Sequence, residues 1–501
     1  MKAVITTVVV LIAALGALAI GAVAFGVVTI PGLNVAGSGC SVTVHSENVQ
    51  DNAIQSAINA YPGGTICVGA GTFPEQLNIT SSGTTLKGAG DTKTIIEPSA
   101  SGLTINTYDY DGTPTPAAAI ILVDGSSGTP TTGVTGVTIE ELQVNGVAGQ
   151  TSSLFTGCSQ GYIGVDFQAS SGTLTGASVT NIQLPPSLFG CQQGLGVYAY
   201  NGWFNYAGTN NVPDSVSITH TLVSNYDKNG ITCDDPEEAC TIASDTVTGI
   251  GPTPLIAQNG IQVAFGALGT VESNHVSANG DYTGSTGCSP GDQDAYAYCG
   301  DDEEGAGILL YDSDTGSLVS GNTLSLNEYG IDYAADGLSG DGYQGPASIT
   351  IEANTVDSSN AYGIVAEGAP GGADSVSIAS NTVNNEVSEN GGTWGAPGIL
   401  VDTGTFTISD NKLEGSLTTS GASNGASQEV CGPVTGSPSS PLDPVYYCSV
   451  ASSLTTAAIQ GSSENGADQT NMTLSGNTFT DDSNDMSTLG VLGGATNVLW
   501  I

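Results

Sequence analysis

Carboxylates are the reactive groups this chain has in quantity: 48 Asp and Glu against five Lys, three His and no Arg. Paired carboxylates can divide acid and base work between them or hold a hard cation, and spacing decides which. Asp312-Ser313-Asp314-Thr315-Gly316 sets alternate carboxylates before a glycine, as the first half of a calcium loop does, but lacks the distal Glu. Two more acidic stretches, CDDPEEAC from Cys233 to Cys240 and DDEE from Asp301 to Glu304, gather carboxylates beside cysteines. All of these read first as solvated acidic loops. If the chain holds a cofactor it is Ca2+, with Asp312 and Asp314 as ligands; otherwise the expectation is none. No catalytic residue stands out, because 48 acids create chance pairs along the whole chain.

Aromatic and covalent chemistry come next. Tyr198, Tyr200, Trp203, Phe204 and Tyr206 crowd into YAYNGWFNYAG. Such rings can stack on the apolar faces of sugars, or simply pack an insertion onto its own scaffold. Asn78-Ile79-Thr80 and Asn471-Met472-Thr473 are N-glycosylation sequons, meaningful in an exported protein. The ten cysteines fall into local pairs: Cys158 with Cys191, Cys233 with Cys240, Cys288 with Cys299, Cys431 with Cys448, leaving Cys40 with Cys67. That pattern predicts disulfides made outside the cytoplasm. Zinc is disfavoured, since there is no CxxC and the histidines are only His45, His220 and His275.

These groups must be positioned by a repeat. SITIEANTV, SVSIASNTV and TFTISDNKL place Asn354, Asn381 and Asn411 at intervals of 27 and 30 residues, with looser copies around Asn322 and Asn477. Gly330-Ile331, Gly363-Ile364 and Gly398-Ile399 open a second short run after several copies. A repeat of this length that alternates apolar and polar residues implies a β-solenoid, because one unit cannot bury its apolar face without stacked neighbours. Asn suits the corner by tolerating left-handed backbone angles and by pairing its amide with the Asn one rung away. Longer insertions at 185–213, 280–305 and 415–470 are expected to gather on one face.

Composition narrows the class. Glycine, at 71 residues, is too frequent for a helical protein. The formal charge of −43 reflects missing base rather than excess acid, so the surface reads as Ser, Thr, Gly and Asn. Such a surface stays soluble in acid, which suggests an acidic external habitat. Nucleic acid is excluded as a partner for want of a basic footprint.

Residues 3–30 carry no charge and are long enough to span a bilayer as a helix. Gly16, Gly21 and Gly26 lie among many alanines and would let such helices pack closely. With the AFGVVTIPGL exit, this segment resembles the N-terminal helix of archaeal type IV pilins. The resemblance implies a filament core built by self-association, after a membrane stage in biogenesis. A plain membrane anchor and an atypical signal peptide are the alternatives. Further on, Asp51 is expected to cap a helix whose Ile54, Ile58 and Tyr61 share one face and plug the first rung. IQSAINA, TICVGAGTFPEQLNI and TLKGAG before TIIEP resemble the entry of the pectin-lyase-like right-handed parallel β-helix family.

The expected fold class is therefore all-β, a right-handed parallel β-helix preceded by a long hydrophobic helix. Its parts are a helix at 1–31, a linker at 32–43, the β-helix with loop insertions at 44–484 and a C-terminal cap at 485–501. The family's lyases and methylesterases rely on Arg or Lys, and its galacturonases on Asp-Asp with His-Gly and Arg strings. This chain has Asp234-Asp235, Asp301-Asp302 and Asp481-Asp482 but no His-Gly and no Arg. The leading expectation is an extracellular, cell-surface structural or adhesive protein, a subunit of a pilus-like filament whose other partners are surface glycans. The alternatives are a membrane-anchored polysaccharide-degrading enzyme and a viral receptor-binding spike.

Overall fold

The computed structural model describes residues 39–45, 52–110, 114–126, 133–201, 213–251, 256–280, 305–337, 345–357, 362–371, 373–384, 398–414 and 470–480. Thr253 and Ser359 are described as well, as is the backbone of strands at Leu33–Asn34, Ser427–Pro433, Tyr446–Ser452, Ile459–Ser462, Gly490–Val491 and Asn497–Trp500. Residues 1–31, with Gly16, Gly21 and Gly26 and the pilin-like segment, lie outside this set. Among the described residues no helix is long and apolar enough to cross a membrane.

One rung shows how the sequence builds the solenoid. Ser348–Glu352 alternates so that Ile349 and Ile351 turn inward, Thr355–Asp357 turns in Val356, and Tyr362–Glu367 turns in Ile364 and Ala366. Each rung thus gives one strand to each of three sheets. Among the described residues the first sheet has fifteen strands, from Leu33–Asn34 to Asn497–Trp500. The second has twelve, from Gly71–Phe73 to Thr478–Thr480, and the third runs from Leu77–Ile79 to Gly490–Val491. Neighbouring rungs pair in parallel, as in Ile351 opposite Ile378, Val356 opposite Val383 and Ile364 opposite Ile399. Like residues therefore stack into one continuous core. Each fully buried aliphatic side chain contributes roughly 1.5–3 kcal/mol. This is the expected parallel β-helix, and Asn497–Trp500 extends it by pairing with Thr470–Ser475.

The corner after the first sheet carries the asparagine ladder. Asn354 Nδ2 donates to Asn381 Oδ1 and to Val319 O, both at 3.0 Å, and Asn354 N also reaches Asn381 Oδ1. The same bonds join Asn274, Asn322, Asn381, Asn411 and Asn477. One expectation needs correcting. The left-handed residue is the one before each Asn, as at Ala353, Ser380 and Asp410 with φ of 56–57°. Asn is required for its amide, because buried backbone groups at the corner need partners that span two rungs.

Glycine has its own stack in the third sheet. A Cβ on Gly196 or Gly230 would stand 2.4–2.6 Å from the carbonyl of the next glycine up and from a valine methyl. Gly330-Ile331 and Gly363-Ile364 belong to this column, so the glycine-isoleucine beat marks where rungs approach too closely for any side chain.

The first rung is plugged by the helix Ala53–Ala60, which buries Ile54, Ala57 and Ile58. Tyr61 follows as the C-cap, only partly buried against the core. Its N-cap is Asn52 rather than Asp51, which lies outside the described residues. Asn52 makes no side-chain cap. Glu75 serves instead, accepting Ile54 N at 2.9 Å and Gln55 N at 3.0 Å, because a carboxylate at a helix N-terminus satisfies orphan N–H groups. Cys40–Cys67, Cys158–Cys191 and Cys233–Cys240 are bonded as expected. Cys431 and Cys448 stand opposite each other on the antiparallel pair Ser427–Pro433 and Tyr446–Ser452. Cys288 and Cys299 lie outside the described residues.

Candidate functional site

The outer face of the third sheet is where the strands depart from a bland solenoid. Its strands turn apolar residues inward, yet from Gly161–Gln168 to Asn259–Ala264 their outward residues are buried as well. In register across successive rungs, one outward row reads Asn78, Leu122, Asp166, Tyr198, Thr232 and Gln262. The row two residues on reads Asp124, Gln168, Tyr200 and Asp234.

Asp166 is the centre of this patch and has no exposed surface. It lies on Gly161–Gln168 between Leu122 and Tyr198 of the flanking strands. The hairpin strand Thr107–Tyr110 pairs with Pro114–Asp124 and reaches over it, so that Thr107 Oγ1 donates to Asp166 Oδ2 at 2.5 Å. Asp166 Oδ1 is buried without a hydrogen-bond partner. Burial pushes the Asp166 carboxyl well above its usual range, opposed by the Thr107 hydrogen bond and reinforced by the charges of Asp109 and Asp124. On the adjacent strand, Asp124 Oδ1 accepts both N and Oγ of Ser126, at 2.9 and 2.7 Å.

Tyr198 and Tyr200 stack on each other beside it, ring centroids 4.5 Å apart and planes 14° apart. Tyr200 donates its hydroxyl to Tyr108 O. Both rings are fully buried on the strand Leu195–Tyr200, while Trp203, Phe204 and Tyr206 lie outside the described residues. Above them an amide cluster continues the face. Asn229 and Asn259 both donate to Gln262 Oε1, and Gln262 Nε2 reaches Asp234 Oδ1 at 3.5 Å. Farther up, Tyr329 and Tyr362 meet edge to face in an apolar cluster with Val365 and Leu400.

The remaining expected site residues are scattered. Asp314 turns Oδ1 to Thr315 N, and Asp312 Oδ1 accepts Gly337 N, so the pair sits at a backbone turn away from the Asp166 patch. Asn78 lies mid-strand with its Oδ1 enclosed, and Asn471 is half-buried on Thr470–Ser475.

Several buried acids escaped sequence reasoning. Burial raises the Asp227 carboxyl to about 7, against a hydrogen bond from Leu184 N. Asp245 is raised to about 8 by burial, opposed by backbone bonds from Thr221 and Ala243. Glu238, by contrast, lies in the CDDPEEAC stretch that the sequence singles out, and it is pushed up by burial and by the charges of Asp214 and Asp235. The usable signal was an acid inside an apolar β-run, as in YIGVDFQ, or an Asp at a ladder position, as in ASDTV.

No family model and no curated protein matches the chain. Solved structures do. The A-module of mannuronan C-5 epimerase AlgE4 from Azotobacter vinelandii aligns over 88% of this chain and 94% of its own, at 12% identity and TM-score 0.44. The catalytic unit of a thermostable GH87 alpha-1,3-glucanase from Streptomyces thermodiastaticus aligns over 94% and 66%, at 12% identity and TM-score 0.43. The periplasmic alginate epimerase AlgG aligns over 92% and 83%, at 9% identity and TM-score 0.40.

Proposed function

We propose that the chain is a secreted glycoside hydrolase that cleaves an uncharged polysaccharide on the outer face of the third sheet. One observation carries the reading: Asp166 is a buried carboxyl with an unpartnered oxygen, its proton affinity raised by burial, set among other carboxylates and beside stacked tyrosines. Protonated Asp166 is the general acid that protonates the glycosidic oxygen as its bond to the anomeric carbon breaks. Asp124 is the base that takes a proton from the attacking water. The two stand on adjacent strands, two residues apart along the chain direction. Strand spacing and rise put such a diagonal at about 8 Å, inside the range of inverting enzymes.

Substrate charge follows from what surrounds the acid. Asp109, Asp124 and Asp234 would repel a uronate, and the chain has no arginine to pair with one. The Thr107–Tyr110 arm lies over Asp166 and Tyr200, so a sugar enters as that arm lifts. Three formed disulfides support an extracellular setting. This reverses the order of the leading expectations: the enzyme reading stands on described residues, whereas the filament reading stands on 3–30.

The test is release of reducing ends from neutral glucans, galactans and mannans, with alginate and polygalacturonate alongside. Asp166→Asn should lower turnover by roughly 10²–10⁴-fold without lowering the melting temperature. Absence of cleavage of every neutral polymer, or full activity in the variant, overturns the proposal.

A further inference from the structure

We propose that Gln193 is a sugar-binding residue, its side-chain carbonyl accepting a hydroxyl of the sugar unit next to the one held at Asp166. The corner that carries it joins two rungs. Gly161–Gln168 pairs with Leu195–Tyr200 so that Ile163 stands opposite Leu195, and Cys158–Cys191 ties the segments that lead into those strands. Gln160-Gly161 and Gln192-Gln193 are thereby brought level on neighbouring rungs.

Unpaired amides set this corner apart. Gln193 is 6% exposed, and its Oε1 is buried without a hydrogen-bond partner. Gln160 Oε1 and both amide atoms of Gln192 are buried without partners too. A buried acceptor left unmade carries the full desolvation penalty, so folded proteins keep few of them and rarely several in neighbouring residues. A ligand that donates to such an oxygen removes that penalty.

The bare Cα of Gly161 shows where Gln193 aims. A Cβ there would stand 2.9 Å from Gln193 Oε1, 3.0 Å from Ala117 Cβ and 3.2 Å from Asp109 Cβ. Ala117 belongs to the outer-face cluster that includes Tyr198 and Tyr200. Asp109 belongs to the Thr107–Tyr110 arm, whose Thr107 covers Asp166. Gln193 and Asp166 thus lie beneath one arm, at positions two residues apart along it, about 7 Å in an extended strand. Lifting the arm uncovers both, and that step reaches from one sugar unit to the next. A neutral hydroxyl suits the uncovered carbonyl because it has a hydrogen to donate, whereas an ionised uronate carboxylate only accepts and would meet Asp109. The disulfide fixes the corner before a sugar arrives, which limits the ordering cost of binding. The proposal rests on the hydrolase reading for the identity of its ligand.

The test is Gln193→Met in the full-length protein, a change that keeps the side chain's length and removes the acceptor. Two readouts separate sugar binding from a structural role. Because the oxygen has no partner to lose, the variant should melt about 1–3 °C above wild type. On the neutral polymer that wild type cleaves, KM should rise roughly 3–10-fold with a smaller effect on kcat. Native gels cast with neutral glucan, galactan or mannan make the same comparison without cleavage, and wild type should be retarded more than the variant. Cleavage by both proteins with the same KM overturns the subsite and leaves the hydrolase reading standing. A wild type that cleaves nothing yet is retarded more than the variant overturns hydrolysis and keeps the sugar site. A wild type that neither cleaves nor is retarded, or a variant that melts lower or fails to fold, overturns the proposal.

Discussion

Replacing Asp245 with Asn should make the solenoid more stable at neutral pH and leave it unchanged in acid. Asp245 occupies a rung of the asparagine ladder. Its Oδ1 accepts Thr221 N at 2.7 Å, and its own N donates to Asn274 Oδ1 at 2.9 Å. In the rungs above, the matching Nδ2 donates to the next Asn Oδ1 and to a carbonyl three residues before the ladder position below, as Asn274 does to Asn322 Oδ1 and Ile242 O. Asp245 Oδ2 stands in that place without a partner, where the ladder offers oxygens that only accept. A protonated Asp245 can donate there, whereas an ionised one is repelled by them. Burial accordingly raises its carboxyl from 3.8 to about 8.

The sign follows directly. Between those two values the folded state binds the proton more tightly than the unfolded chain does, so stability falls as pH rises. The contribution is complete below about pH 4 and gone above about pH 8. At 1.36 kcal/mol for each pH unit, the loss by pH 7 is about 4 kcal/mol. The amide of the Asp245→Asn variant would donate at every pH, so the gap between variant and wild type should open from near zero at pH 4 to about 4 kcal/mol at pH 7. Urea unfolding of both proteins at half-unit pH steps reads this gap. Taking the difference cancels other raised carboxyls, such as Asp227 at about 7 and Asp214 at about 6. A gap that stays flat from pH 4 to pH 8, or a variant weaker than wild type at pH 7, refutes the reasoning. Confirmation would also make acid the more stable medium for this chain, in line with its uncharged surface.

Two further substitutions probe the repeat itself. Gly230→Ala would place a methyl 2.5 Å from both Gly260 O and Val247 Cγ1, and such overpacking should lower stability by about 1–3 kcal/mol in urea melts. An unchanged midpoint would mean that the glycine column has room to spare. Asn354→Ala strips the partner from Asn322 and from Val319 O while emptying the corner, so a loss on the order of 3 kcal/mol is expected. Hydrogen exchange should quicken first at the amides of Asn322 and Thr382 if the ladder transmits the defect, and uniform exchange would count against it.

Much of the fold was legible because a solenoid repeats its local rules. Ile349 and Ile351, Gly330 and Gly363, and the asparagines from Asn322 to Asn477 each report a periodicity within one rung, and a short window reveals it. Cys158–Cys191 and Cys233–Cys240 were legible too, since short spacing keeps such cysteines near one another. Of the site, Tyr198 and Tyr200 were legible as an aromatic cluster, but its carboxylates were not. Asp166 meets Asp124 from the rung below and Thr107 from a hairpin, across insertions of unequal length that hide the register. Asp214 and Glu238 share the apolar parity of DSVSIT and EACTIA, yet they become opponents only when their strands pair. Sequence by itself determined what each rung looks like, because alternation and turn chemistry act over a few bonds. Tertiary structure decided which carboxylates lose water and gain like-charged neighbours, because proximity between rungs depends on stacking, and stacking is where burial sets the state of a proton.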